Sequence, residues 1–322
     1  MSDDFTIFYV ADIHGSDVCF RKWLNAARFY GADVLIIGGD LTGKVLLPII
    51  PAPAGESGWI ATWRDRPVRL ETRREVDELI RMARNEGTYG FLTTPDEVDE
   101  IHGSIELERQ TFLRLKRAAL EEWIAIADER LAAGSTRAYV MPGNDDPPEM
   151  DELLDGARGL RNVQGVVTEL WPGITMASRG ESTPTPWNTP RELSEADLGE
   201  AVRRVVDDLP EEGVTIWNLH MPPKATSIDL APKLDASLRV RYDGAGEPVM
   251  VPVGSSAIRE LVTERQPTLA LHGHIHESRG RYKIGRTTGI NPGSQYQDGV
   301  LLGVLVRVSA RSGVRDIAFT AG

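Results

Sequence analysis

Along the first forty residues the spacing of apolar positions changes twice. FTIFYVAD is a nearly continuous apolar run and predicts a strand. VCFRKWLNAARFYG repeats its apolar positions at helical spacing and closes on Gly31, which predicts a helix. DVLIIGGD predicts a second strand, so the chain opens as a βαβ unit. Both strands are apolar almost throughout rather than alternating, as in sheets covered on both faces. An α/β core with a mixed or parallel sheet follows.

The next strand of this kind is TRAYVMPGNDD, which makes residues 45–134 an insert between two core strands. Within it, KVLLPIIPAPAGESGWIATWRDRPVRLE holds short β-like runs split by Pro and Gly. ETRREVDELIRMARNEG then places Val76, Leu79, Ile80 and Ala83 at helical spacing, and a longer helix is expected from about Ile105 to Ala133, with Leu107, Leu113, Leu115, Leu120, Trp123 and Ile124 on its apolar face. The expectation is a helical hairpin with a small β appendage, a cap-like subdomain over 45–134 set into a single domain spanning 1–322. Beyond it, VTIWNLHMPP, PTLALHGHIHES, RTTGINPGS, GVLLGVLVRVS and DIAFTAG read as short strands bounded by turn residues. Ser194 is the expected N-cap of one helix, SSAIRELVTER gives another, and 224–254 reads as an ordered surface loop.

Composition narrows the classes of function. With 322 residues, 41% hydrophobic and 26% charged, the chain can bury a substantial core, and global disorder is excluded. A net charge of -12 gives no strong nucleic-acid signal, because phosphate backbones are gripped by Lys and Arg. The single cysteine, Cys19, cannot form an intrachain disulfide and fits a reducing compartment. MSDDFTIFYV has acids where a secretory signal would be basic, and no stretch approaches the roughly 18 apolar residues of a membrane span. The expectation is a cytoplasmic protein with no membrane partner.

The polar residues at strand ends carry the candidate chemistry. They are Asp12 and His14 in ADIHG, Asp40 in GGDLTG, Asn144 in PGNDD, His220 in NLHMPP, and His274 and His276 in GHIHES. Carboxylate, imidazole and amide ligands without thiolate suit divalent Mn, Fe, Zn or Ni. In open α/β sheets such groups gather outside the carboxyl ends of the strands. Seven are too many for one tetrahedral zinc and suit two ions with one bridging carboxylate. Glycines 15, 39, 143 and 273 beside them let the backbone turn sharply or substrate approach.

The ordered set D-x-H, G-G-D, G-N-x, a lone His after a strand and G-H-x-H resembles the calcineurin-like metallophosphoesterase superfamily, over about residues 5–44 and 138–305. The resemblance implies a four-layer α/β/β/α sandwich, to which this chain adds its helical insert. It implies two divalent metal ions, manganese foremost with Fe, Zn or Ni as alternatives: Asp12, His14 and His276 on one, Asn144, His220 and His274 on the other, Asp40 bridging. It further implies hydrolysis of a phosphomonoester or phosphodiester of a small molecule by a metal-bridging hydroxide. Many relatives carry a histidine after the Asn, where this chain has Asp145 and then Asp146. Asp145 is the candidate catalytic residue in that histidine's place, as acid or as orienter of a water. The alternatives are a metal-dependent nuclease, or a noncatalytic interaction scaffold on the same fold. His272 and His102 are read as structural and surface histidines; Lys44 and Arg179 are read as solvated, with contact to a substrate phosphate as the alternative, and Trp187 as an anchor pinning its Pro-rich loop, with stacking on a base or phenyl ring as the alternative.

Overall fold

The computed structural model describes residues 4–132 and 134–322; Asp3 of the acidic N-terminus and Ala133, the expected end of the long helix, lie outside the described residues. β1 (Asp4–Val10), α1 (Asp17–Tyr30) and β2 (Val34–Gly38) form the opening unit, with β1 and β2 parallel. The Ser16 hydroxyl accepts from the Cys19 amide to start α1, and Gly31 ends it in the left-handed region, φ 63°. Alternate residues of β1 serve two cores. Phe5, Ile7 and Tyr9 face a second sheet, whereas Phe8 and Val10 join the cluster that includes Phe20 and Trp23 of α1. Burial on both faces is what makes the strand read as one apolar run.

The insert holds β3 (Val45–Pro51), β4 (Trp59–Trp63), β5 (Arg66–Leu70), α2 (Arg73–Asn85), β6 (Thr88–Leu92), α3 (Pro95–Gly103) and α4 (Ile105–Leu131). Its strands pair in the order β5-β4-β3-β6, so the expected small β appendage is a complete four-stranded sheet. Nor is α2 one arm of a helical hairpin. Its Val76, Leu79 and Ala83 cover Leu47, Ile49, Ala61 and Leu70 of the sheet, and that contact uses up its apolar stripe. The long helix α4 turns instead to the main core through Leu120, Trp123 and Ala127. Trp123 stacks on Phe20 with centroids 4.3 Å apart and planes 1° from parallel, and its indole N–H donates to Asp17 at 2.6 Å. Arg84 of α2 pairs with both Asp17 and Glu122, each at 2.9 Å. Three glycines complete the seam. A Cβ on Gly43 would lie 2.2 Å from the Gly87 carbonyl oxygen, one on Gly87 2.1 Å from that of His14, and one on Gly15 2.6 Å from the Gly43 nitrogen.

The chain then returns to the core with β7 (Arg137–Met141), α5 (Met150–Asp155), β8 (Arg161–Asn162), β9 (Val167–Trp171) and β10 (Ile174–Arg179). The remainder is α6 (Glu195–Val206), β11 (Val214–Leu219), β12 (Leu230–Pro232), β13 (Met250–Pro252), α7 (Ser256–Arg265), β14 (Leu269–Leu271), β15 (Gly280–Ile284), β16 (Thr287–Asn291), β17 (Leu302–Ser309) and β18 (Gly313–Ala321). Ser194 caps α6 as its sequence predicts. The 224–254 segment is more than a loop, since β12 and β13 pair antiparallel within it.

Two six-stranded sheets result, ordered β18-β17-β1-β2-β7-β8 and β15-β16-β14-β11-β10-β9. Their facing sides bury Phe5, Ile36 and Val306 against Leu170, Ile216 and Leu271. Helices α1, α4 and α5 pack outside the first sheet, and α6 and α7 outside the second, over Trp217 and Ala270. The molecule is the expected four-layer α/β/β/α sandwich. β1, β2 and β7 run parallel in one sheet, and β10, β11, β14 and β16 in the other. The chain therefore leaves several strands at a common edge.

Candidate metal centre

The loops that follow β1, β2, β7, β11 and β14 bring together all seven residues expected from the sequence, and Asp145 with them. Asp12, His14 and His276 form one cluster, Asp12, Asp40 and His220 a second, and His14, Asp40 and Asp145 a third. One oxygen of Asp12 lies 3.5 Å from His276 Nε2 and 3.7 Å from His220 Nε2. One oxygen of Asp40 lies 3.4 Å from His220 Nε2 and 3.6 Å from His14 Nε2. Both carboxylates thus face both sides of the centre. Asn144 and His274 stand beside these clusters as a pair, with Asn144 Oδ1 2.8 Å from His274 Nδ1. The rings of His220 and His274 meet edge to face at 5.4 Å.

Backbone strain marks the same place. Asp12, His14, Asp40 and His274 all have positive φ, of 56°, 40°, 52° and 66°. Side chains rarely tolerate this region, and packing must hold them there. The His274 amide donates to both Asp12 oxygens at 3.0 and 3.1 Å, and the Asp145 amide donates to Asp40 at 3.0 Å. Close approach needs two glycines: a Cβ on Gly39 would fall 2.2 Å from His220 Nδ1, and one on Gly143 2.2 Å from Asp40 Oδ1.

The donor set suits divalent cations. His220 Nδ1 sits 2.8 Å from the Gly38 carbonyl, which accepts only an N–H, so Nε2 is the nitrogen that faces the carboxylates and would offer a lone pair there once a cation displaces its proton. That Nε2 is buried with no hydrogen-bond partner among the described residues, as is His14 Nδ1. Nε2 atoms of His14 and His276 face each other at 3.0 Å. Burial opposes charge on His220, yet the Asp40 carboxylate pushes its pKa up to about 10. Burial likewise opposes ionisation of Asp12, but a hydrogen bond from His276 and the surrounding imidazoles bring it down to about 2. Asp40 rises to about 6 through burial and the charge of Asp145. His274 falls to about 3 through burial, which keeps its ring neutral. Positive charge is favoured between the two carboxylates, and the surrounding imidazoles can offer lone pairs to it.

Asp145 is held by Lys44, whose Nζ is 3.0 Å from its carboxylate, and lies 3.6 Å from His14 Nδ1. Burial opposes the Lys44 charge, but Asp145 and Asp40 raise its pKa. Lys44 is therefore a partnered cation beside the centre rather than a simply solvated one. Two supporting residues escape the sequence reading. Asp146 is fully buried and accepts from the amides of Leu41, Thr42 and Gly143, each at 2.8 Å, and from the Thr42 hydroxyl at 2.7 Å, tying the loops after β2 and β7 together. Lys116 is buried on α4 and donates to the Asp145 carbonyl at 2.9 Å, and its burial lowers its pKa. A lysine in line with Leu113, Leu120, Trp123 and Ala127 interrupts an apolar stripe, a legible signal; nothing in NDD separates the roles of its two acids.

The other expectations divide. His272 is structural: Nδ1 lies 2.8 Å from the Leu219 carbonyl, Nε2 is 3.1 Å from the Tyr282 hydroxyl, and burial lowers its pKa to about 4. Arg179 pairs with Glu181. His102 is on the surface. Trp187 is 65% exposed and does not pin its loop. Glu192 does so, accepting from the hydroxyls of Thr185 and Thr189, while Thr189 in turn accepts from the Asn144 amide.

No family model matches the chain. An uncharacterized protein of Methanocaldococcus jannaschii is 30% identical over 168 residues, 51% of this chain and 68% of that protein. The crystal structure of TT1561 from Thermus thermophilus superposes with a TM-score of 0.50 at 14% identity, covering 98% of both chains. Another solved structure reaches a TM-score of 0.51, also at 14% identity and 98% coverage of each chain. This likeness to solved structures is one of fold.

Proposed function

We propose that the chain belongs to the calcineurin-like metallophosphoesterase superfamily and is a metal-dependent hydrolase of small-molecule phosphomonoesters or phosphodiesters. The observation that carries this reading is the convergence of Asp12, Asp40 and His220, fully or almost fully buried, with His14 and His276 against them. Asp12, His14 and His276 would hold one divalent ion and Asn144, His220 and His274 a second, with Asp40 between; manganese leads, with Fe, Zn or Ni as alternatives. Such ions supply Lewis acidity toward phosphoryl oxygens and make water a stronger acid.

The chain's own groups do the rest. Gly38 fixes the tautomer of His220 by accepting its Nδ1 proton. The His274 and Asp145 amides aim the carboxylates of Asp12 and Asp40. Lys44 offers a cation to the ester's phosphoryl oxygens. Asp145, beside Lys44 and His14, serves the leaving oxygen or an attacking water in place of the histidine of many relatives.

The test is metal content together with hydrolysis of p-nitrophenyl phosphate and bis-p-nitrophenyl phosphate, after separate reconstitution with Mn²⁺, Ni²⁺ and Zn²⁺. Two equivalents of metal and chelator-sensitive turnover are expected. Protein that binds no metal and turns over neither ester overturns the reading.

A further inference from the structure

Beside the centre, residues of the insert line a cavity of about 250 Å³ that is partly open to solvent. Leu46 and Pro48 of β3, Phe91 of β6, Val98 and Ile101 of α3 and Phe112 of α4 form its apolar walls. Lys44, His102 and Glu108 also line it, so charged and polar groups stand among the apolar side chains. Two lysines link the cavity to the centre. Lys44 lines it and reaches Asp145 with its Nζ. The Phe112 ring lies 5.8 Å from the Nζ of Lys116, which donates to the carbonyl of the same Asp145. Asp145 in turn lies 3.6 Å from His14. A phosphoryl group at the metal centre would thus have this apolar chamber behind Asp145 and Lys44.

We propose that the cavity binds the alcohol side of the substrate, and that the preferred substrate is a phosphoester bearing a single flat, largely apolar ring. The proposal rests on the hydrolytic reading above and names its substrate class. Size sets the ring count. An apolar cavity of roughly 150 Å³ accepts benzene, so this one holds one ring with a small substituent, below the usual volume of a drug-sized site. Charge supports the same choice, because a chain of net charge -12 favours a compact ester with one phosphoryl group over a polyanion.

Direct binding tests this without relying on turnover. Isothermal titration of Mn²⁺-loaded protein with phenylphosphonate and methylphosphonate should give at least about tenfold tighter binding of the phenyl compound, a difference within reach of an apolar pocket. Val98→Trp, which fills the chamber from α3, should bring the ratio of the two dissociation constants to within about twofold. Ile101→Ala, which enlarges it, should shift preference toward naphthylphosphonate. Thymidine 5′-phosphate distinguishes the source of the ring: binding that matches phenylphosphonate and responds to Val98→Trp identifies a nucleobase, and phenyl preference alone identifies an aryl group. Equal affinity for phenyl- and methylphosphonate in the unaltered protein, or a phenyl preference untouched by both substitutions, overturns the proposal. Ring-selective binding without hydrolysis of any ester would leave the chamber standing and remove the hydrolase; hydrolysis without ring preference would do the reverse.

Discussion

At the scale of single residues, His220 concentrates the argument. Its ring is fully buried, one nitrogen is committed to the Gly38 carbonyl, and the other faces two carboxylates. His220→Ala should lose one equivalent of metal by elemental analysis and lower kcat by about 100-fold or more, since metal stabilisation of transition-state charge amounts to several kcal/mol. Asp145→Asn keeps the shape of the side chain and removes its charge. If the carboxylate serves the leaving oxygen or a water, the variant's rate on an unactivated phosphodiester should fall and the pH profile of kcat should change form. Unchanged rate and profile would remove Asp145 from the chemistry. His272 bears on stability instead. Burial depresses its folded pKa to about 4, below the ordinary histidine value, so the unfolded chain binds the extra proton first as pH falls. Its contribution is complete above about pH 6.5 and is lost as pH drops toward 4, so denaturation midpoints should decline across that window, less steeply in His272→Gln.

Among elements, α4 is the one whose role changes most between sequence and structure. Its apolar stripe is legible, yet the stripe does not say which partner it meets, and the helix turns out to cover the main core instead of pairing with α2. Trp123→Ala should therefore destabilise the whole molecule by about 3–5 kcal/mol in denaturant titration, the usual cost of deleting a buried tryptophan. Were the helix only packed within the insert, the main unfolding transition would stay put. The same contrast explains what can be read in advance. β1 and β2 are continuous apolar runs because both faces are buried, and Asp12, Asp40, Asn144, His220 and His274 stand out because each ends such a run with a polar residue. The sheet of the insert is obscured because Pro48, Pro51, Pro53 and Pro67 interrupt its runs, although Pro48, Pro51 and Pro67 lie within its strands. Asp146 and Lys116 act through backbone partners more than 25 positions away, Leu41 and Asp145, which no local pattern encodes.

For the molecule as a whole, two sheets meet with their strand ends at one edge, and residues as far apart as His14 and His276 share a contact of 3.0 Å. Cations bound there would connect loops from both sheets and favour the folded chain alone. At a free metal concentration one hundred times the dissociation constant, linkage gives about 2.7 kcal/mol per site. Tm should accordingly rise with added Mn²⁺ and fall on treatment with chelator, and a Tm indifferent to both would contradict a centre shared between the sheets. The backbone seam of Gly15, Gly43 and Gly87 carries a consequence for engineering. Gly87, midway along the insert, abuts the main chain of His14, so a chimera that exchanged residues 45–134 for the equivalent stretch of a relative would press on the His14 carbonyl unless the donor also supplied a glycine where Gly87 now sits.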